Sequence, residues 1–141
     1  MKRRRRTKIF IEGEPILARE MAQELTDKYE WQQIVEPRIG LTMMKMRETA
    51  QKSLFYLGEV LMTEAKVEVQ GTIGIGLVMG DRKGLAQQLA IIDAAYVLDL
   101  PETKNWNDKL LLEEKKIEKD RASMQQQLFD TKVNFEAMDI D

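Results

Sequence analysis

SLFYLGEVLMTEAKVEVQGTIGIGLVMGDRKG, residues 53–84, decides how the rest of the chain is read. It holds two β-forming runs, a Gln70-Gly71 reversal between them and a glycine-marked exit into a helix. In the first run Phe55, Leu57, Glu59 and Leu61 share one face and Val60 and Met62 the other. The alternation resumes at Val67 and Val69, opposite Lys66 and Glu68. Glycine at position 71 accepts the positive φ that a two-residue hairpin turn needs. The return run sets Ile73, Ile75, Leu77 and Met79 on one face and Thr72, Gly74, Gly76 and Val78 on the other. A strand face so bare of side chains means that another backbone or a ligand approaches closely. The simpler occupant is a helix of the same domain.

Working outward, Gly80-Asp81 ends the sheet, and Asp81 is the expected N-cap of the next helix. Leu85, Leu89, Ile92 and Tyr96 mark its buried stripe, and Ala86, Ala90 and Ala94 allow close packing. Arg82 and Lys83 oppose the helix dipole in the first turn, so Gly80, Arg82 and Lys83 form a candidate anion site. The spacing matches neither a phosphate loop nor a dinucleotide fingerprint, and plain turn chemistry is the simpler reading. Upstream, Pro15 opens an amphipathic helix to about residue 29, with Leu17, Met21, Leu25 and Tyr29 repeating every fourth residue. Trp31–Val35 reads as a short strand, Glu36–Gly40 as a break and Leu41–Arg47 as a further strand, apolar on both faces. With the hairpin this predicts an α+β fold around a four-stranded antiparallel sheet packed with helices.

Downstream of Pro101 a long helical arm is expected from about Thr103 towards Thr131, its thin stripe made of Trp106, Leu110, Ile117, Met124 and Leu128. Such a stripe favours docking on another chain. Val133 and Phe135 then alternate in what reads as a short extended tail. Trp106, Leu110, Ile117, Met124, Val133, Phe135 and Met138 are accordingly the candidate partner-interface residues. The expected organisation is a basic N-terminal tail and lead-in at 1–13, an α+β core at 14–100 and a partner-binding segment at 101–141.

Composition narrows the chemistry. The 141 residues include no cysteine and no histidine, which removes the usual zinc and transition-metal ligand sets, a thiolate nucleophile and a Ser-His-Asp triad. The two serines, Ser53 and Ser123, lie in no nucleophile pattern. Carboxylate pairs remain available for acid–base work or magnesium, but 24 acidic residues produce chance pairs. No apolar run reaches the roughly 20 residues of a membrane span, and no signal peptide is evident, so a cytoplasmic location is expected. Lys2, Arg3, Arg4, Arg5, Arg6 and Lys8 form a cationic tip; the rest carries 16 basic against 24 acidic residues. That tip suits nucleic acid or lipid headgroups, or a solvated tail, but lacks interleaved aromatics and any groove-reading motif.

Leu57-Gly58-Glu59 with Thr63, Gly71-Thr72-Ile73-Gly74, Val78-Met79-Gly80 and Ile92-Asp93-Ala94 resemble the PhnG family, the G subunit of the carbon–phosphorus lyase core. Lys132–Met138 looks like that family's closing motif, and the resemblance covers roughly residues 14 to 139, without the arginine run. It implies a subunit of a phosphonate-degrading assembly. With the H and I subunits and the ATPase-like L subunit, such a subunit supports displacement of adenine from ATP by methylphosphonate. The product is ribose 1-methylphosphonate 5-triphosphate. The resemblance assigns nucleosidase chemistry to the I subunit. Carbon–phosphorus cleavage falls to the J subunit, with its iron–sulfur cluster and S-adenosylmethionine. It transfers no catalytic residue to this chain, which is expected to be accessory and to bind no cofactor alone. An autonomous nucleotide- or phosphate-binding module and a nucleic-acid-binding protein are the rival readings.

Overall fold

The computed structural model describes the backbone of residues 1–47 and 54–139 and the side chains of residues 1–43 and 58–132. Two compact units emerge, Met1–Glu14 with Asn105–Asp141, and Pro15–Lys104.

The second unit carries the sheet. Its strands are β1 (Trp31–Arg47), β2 (Leu54–Val69) and β3 (Thr72–Met79), antiparallel in the order β1-β2-β3. The β2–β3 turn is the expected one, with Gln70 at φ 49° and Gly71 at φ 78°. The expectation of four strands is corrected here to three. Residues 31–35 and 41–47 belong to one strand, because Glu36–Gly40 bends β1 without ending it. Pairing runs from Gln33↔Val67 to Val35↔Lys66 and then to Arg38↔Glu64, so β1 absorbs one extra residue at each step. Pro37 falls in the second irregularity. β1 is an edge strand, where a missing proline N–H breaks no obligatory ladder bond and a bulge takes up the surplus.

Helix α2 (Pro15–Lys28) buries Ala18, Met21, Ala22 and Leu25 and packs on α3 (Lys83–Val97). α3 lies on the sheet, over β3 and β2, and its alanines meet the glycine face as expected. A Cβ added at Gly74 would stand 2.0 Å from the Ala90 carbonyl oxygen, and one at Gly76 would stand 1.8 Å from that of Ala86. Only glycine permits this approach. The core of the unit is completed by Ala65, Val67, Val69 and Val78 from the sheet and Leu89, Ile91 and Ile92 from the helix.

The first unit holds α1 (Arg3–Glu12) and most of α4 (Glu102–Asp139). The basic run is therefore helical. Arg5 makes a two-pronged pair with Glu114, Nε and Nη2 donating at 2.9 and 2.6 Å. Arg121 pairs with Glu12 at 3.0 Å and Lys116 with Glu14 at 3.5 Å. Arg6 is buried and donates to the Met1 carbonyl; Ile9, Phe10, Trp106 and Leu110 are buried too. The expected extended tail is also corrected. α4 is 38 residues long and continues to Asp139, a span of about 57 Å. The alternation of Val133 and Phe135 is too short to distinguish a strand from a helix, and extending an existing helix adds one bond per residue.

Candidate functional site

The two faces of β3 have opposite fates. Gly74, Gly76 and Val78 face α3, whereas Ile73, Ile75, Leu77 and Met79 lie uncovered, between 38% and 58% exposed. Across the pairing, Ile73 stands opposite Glu68, Ile75 opposite Lys66, Leu77 opposite Glu64 and Met79 opposite Met62. Lys66 approaches Glu64 at 3.7 Å, Arg38 reaches Glu64 at 3.5 Å, and Gln32 donates to Glu68 at 2.8 Å. An apolar row thus runs beside a charged row whose members already serve one another.

The free edge of β3 is guarded. The backbone N–H of Ile75 donates to Asp93 Oδ2 of α3 at 3.0 Å, while that of Gly80 donates to Leu61 of β2 at 2.7 Å. By the two-residue period, the odd-numbered amides of β3 point to the open edge. Asp93, buried on α3, occupies that of Ile75. An inward carboxylate at a strand edge discourages another strand from pairing there. The outer face, rather than the edge, is therefore the open apolar surface of β3.

The turn into α3 is closed by Thr63 of β2. Its hydroxyl donates to the Gly80 carbonyl and accepts from the Arg82 backbone N–H at 3.0 Å. Arg82, and not the expected Asp81, is the N-cap residue, without a side-chain cap bond. Gly80, at φ 87°, makes the turn. Of the candidate anion site Gly80, Arg82 and Lys83, the amides of Gly80 and Arg82 are thus already engaged. The Arg82 and Lys83 residues are exposed. Thr63 was legible only as a small polar residue in an apolar run.

Among the candidate interface residues of α4, Trp106 and Leu110 are wholly buried, Ile117 is half-buried and Met124 is 64% exposed. The Val133, Phe135 and Met138 side chains lie outside the described residues. Leu128 and Phe129 extend the exposed surface beyond Met124. At the start of α4, Glu102 accepts from the Tyr29 hydroxyl at 3.1 Å and meets Lys28 at 3.5 Å. Burial pushes the Glu102 carboxyl up, but its own backbone N–H, Tyr29 and Lys28 together hold it below the ordinary value. Burial first, and Glu102 second, push the Tyr29 hydroxyl up. This cluster ties the end of α2 to the start of α4. Among the described residues no group of three or more carboxylates is placed to hold a metal, and none is long and apolar enough as a helix to cross a membrane.

Fold and surface define a small α+β chain with a row of large apolar side chains exposed on its sheet and further exposed apolar residues on α4. The chain matches the family described as Phosphonate metabolism protein PhnG over residues 1–139, and it belongs to that family. The match begins at residue 1, so the arginine run, which the sequence reading had left outside the resemblance, lies within it. No curated protein matches the chain. Membership places the chain in phosphonate metabolism.

Proposed function

We propose that this chain is an accessory, cytoplasmic subunit of the carbon–phosphorus lyase machinery, assembling with the H, I and J subunits and acting with the L subunit. In that setting it supports a transfer at the ribose of ATP. An oxygen of methylphosphonate bonds to C1′, the bond to adenine breaks, and adenine leaves while the 5-triphosphate is kept. The observation that carries the reading is the uncovered row Ile73, Ile75, Leu77 and Met79. A family member devoted to phosphonate metabolism that shows water four large apolar side chains has a surface made to be covered by protein. The exposed Met124, Leu128 and Phe129 of α4 are a second contact zone.

The chain's donor set also suits an accessory role. Without cysteine or histidine it has no ligands for an iron–sulfur cluster, which belongs to the J subunit. Neither rival reading gains an observation. At the α3 start the Gly80 and Arg82 amides are engaged, and Arg5 and Arg6 are committed within the first unit.

The test is reconstitution. The purified chain, given ATP and methylphosphonate, releases no adenine; co-expressed with the H, I and J subunits it co-purifies with them. Leu77→Asp abolishes co-purification while the chain stays folded. Adenine release by the pure chain, in proportion to its concentration, or full assembly of Leu77→Asp, would defeat the proposal.

A further inference from the structure

The sheet has two edges, and the chain closes only one of them. At the β3 edge Asp93 takes the N–H of Ile75. At the β1 edge, among the described residues, no hydrogen bond outside the β1–β2 ladder reaches the strand's backbone. Which of its groups face outward follows from β2. The Gly80 N–H donates to the Leu61 carbonyl, so the N–H and C=O of Leu61 point to β3 and away from β1. Leu41 stands opposite Leu61, and its own N–H and C=O therefore point to the open edge. By the two-residue period those of Ile39 and Met43 do the same. The side chains of these three residues share one face, and they are 38%, 66% and 58% exposed for Ile39, Leu41 and Met43.

An exposed edge is ordinarily blunted by charge, proline or a bulge. The first half of β1 is blunted in that way, with register shifts between Gln33 and Val35 and between Val35 and Arg38, and with Pro37 inside the second. From Arg38↔Glu64 to Met44↔Gly58 the pairing then runs residue for residue. This stretch has no proline, and its one charged residue, Arg38, already reaches Glu64 at 3.5 Å. Its middle residue is Leu41. We propose that this edge pairs with the same edge of a second copy of the chain, antiparallel, about a two-fold axis at Leu41. Ile39 then meets Met43 of the second copy, Leu41 meets Leu41, and Met43 meets Ile39. Each of these pairs exchanges both of its backbone bonds, and each sets an apolar side chain across from another. Arg38 falls opposite position 44, so no like charges meet.

The sequence fixes the place of the axis. Centred on Met43, the pairing would set Leu41 opposite Lys45 and Ile39 opposite Arg47; centred on Ile39, it would set Leu41 opposite Pro37, which has no N–H to give. Only at Leu41 does the apolar row meet itself. The closed β3 edge decides the rest. β1 of one copy on β3 of the next would build an open-ended row of copies, and Asp93 stands in its way. β1 on β1 uses one patch twice and stops at two copies. A strand of another protein can make the same backbone bonds, but a second copy brings the matching row by symmetry. The pairing also turns the β1–β2 ribbon, marginal as two strands, into four. It needs no other subunit and holds or fails apart from the subunit reading.

The chain has no cysteine, so single cysteines placed in the full chain report the pairing directly. Sedimentation equilibrium shows a dimer and nothing larger, in the upper part of the range from about 1 µM to about 1 mM, because so short a pairing buries less than a standard interface. Under mild oxidation Leu41→Cys closes a disulfide-linked dimer, since residues opposite each other in a hydrogen-bonded pair lie about 5.5 Å apart and a disulfide accepts about 4.4–6.8 Å. Thr42→Cys, on the other face and offset from its own copy, closes at least about tenfold more slowly. Ile39→Cys mixed with Met43→Cys gives the mixed dimer ahead of either like dimer. Leu41→Lys sets two cations together at the axis and stays monomeric, and mixing it with Leu41→Glu restores the dimer. Because Leu41 is largely exposed, thermal unfolding of the position-41 variants matches the unaltered chain. A monomer throughout the range, equal rates at positions 41 and 42, or dimerisation of Leu41→Lys overturns the inference. So does a photo-reactive phenylalanine analogue at position 41 that joins a strand of the H, I or J subunit in the co-expressed assembly, an outcome that leaves the subunit reading standing.

Discussion

The two sides of β3 invert the usual relation between side-chain size and burial. The side with the larger apolar residues, Ile73, Ile75, Leu77 and Met79, is open, and the side with Gly74 and Gly76 is sealed beneath α3. Burial here is decided by how near a helix can come. Glycine against alanine lets two backbones meet, and a contact of that kind tolerates no added carbon. The open side should tolerate substitution better, because its side chains are left half exposed among the described residues.

That contrast is broken most severely from the glycine side. Gly76→Val should destabilise the chain by about 3 kcal/mol or more, since the new side chain meets the Ala86 carbonyl and overpacking of a filled core has no easy relief. Denaturant unfolding measures it, and a change below about 1 kcal/mol would mean that α3 rides higher than the structure places it. One residue away, Leu77→Asp should change unfolding by no more than about 0.5 kcal/mol while abolishing assembly with the partner subunits. Equal effects on folding at positions 76 and 77 would erase the distinction between the two faces.

The edge of the same strand offers a finer test. Asp93→Ala removes the acceptor for the Ile75 N–H, and the loss of one buried partner should cost about 1–3 kcal/mol. It also unblocks the edge, so the variant should self-associate at concentrations where the unaltered chain does not, as light scattering would record. The smallest effect belongs to the Glu102 cluster, where β3 is not involved. Because the folded carboxyl titrates below its ordinary value near 4.5, its contribution is present above that pH and is lost as pH falls through the lower, folded value. Glu102→Gln should therefore lower stability modestly at pH 7, where the ionised carboxyl contributes, and flatten part of the acid limb below about pH 4.5. A variant equally sensitive to acid would show that Tyr29 and Lys28 do not hold the ionised form.

Legibility followed the range of the interaction. Gln70-Gly71 marks its own turn, and the period of four in Leu17, Met21, Leu25 and Tyr29 marks α2, because both signals are local. The glycine face announced a close neighbour, and the alanines of α3 were there to be it. The strand count failed at Pro37. Proline ends a central strand, and only the tertiary arrangement shows that β1 has a free edge on which proline and a bulge cost little. The roles of Thr63 and Asp93 were equally hidden, since their partners, Gly80, Arg82 and Ile75, lie 17 to 19 residues away.

By itself the sequence determined the α+β class, the hairpin, the helices α2 and α3 and most of α4, the family and the chemistry that the lack of cysteine and histidine excludes; that the basic run forms α1 came only from the structure. Period, turn residues and composition act through the chain's immediate neighbours and its inventory of atoms. The tertiary structure decided that β1 is one strand, that the edge of β3 is closed by a carboxylate and that its large apolar side chains face outward. Alternation separates a strand into two faces but does not say which will be covered; that depends on where α3 comes to rest and where it stops.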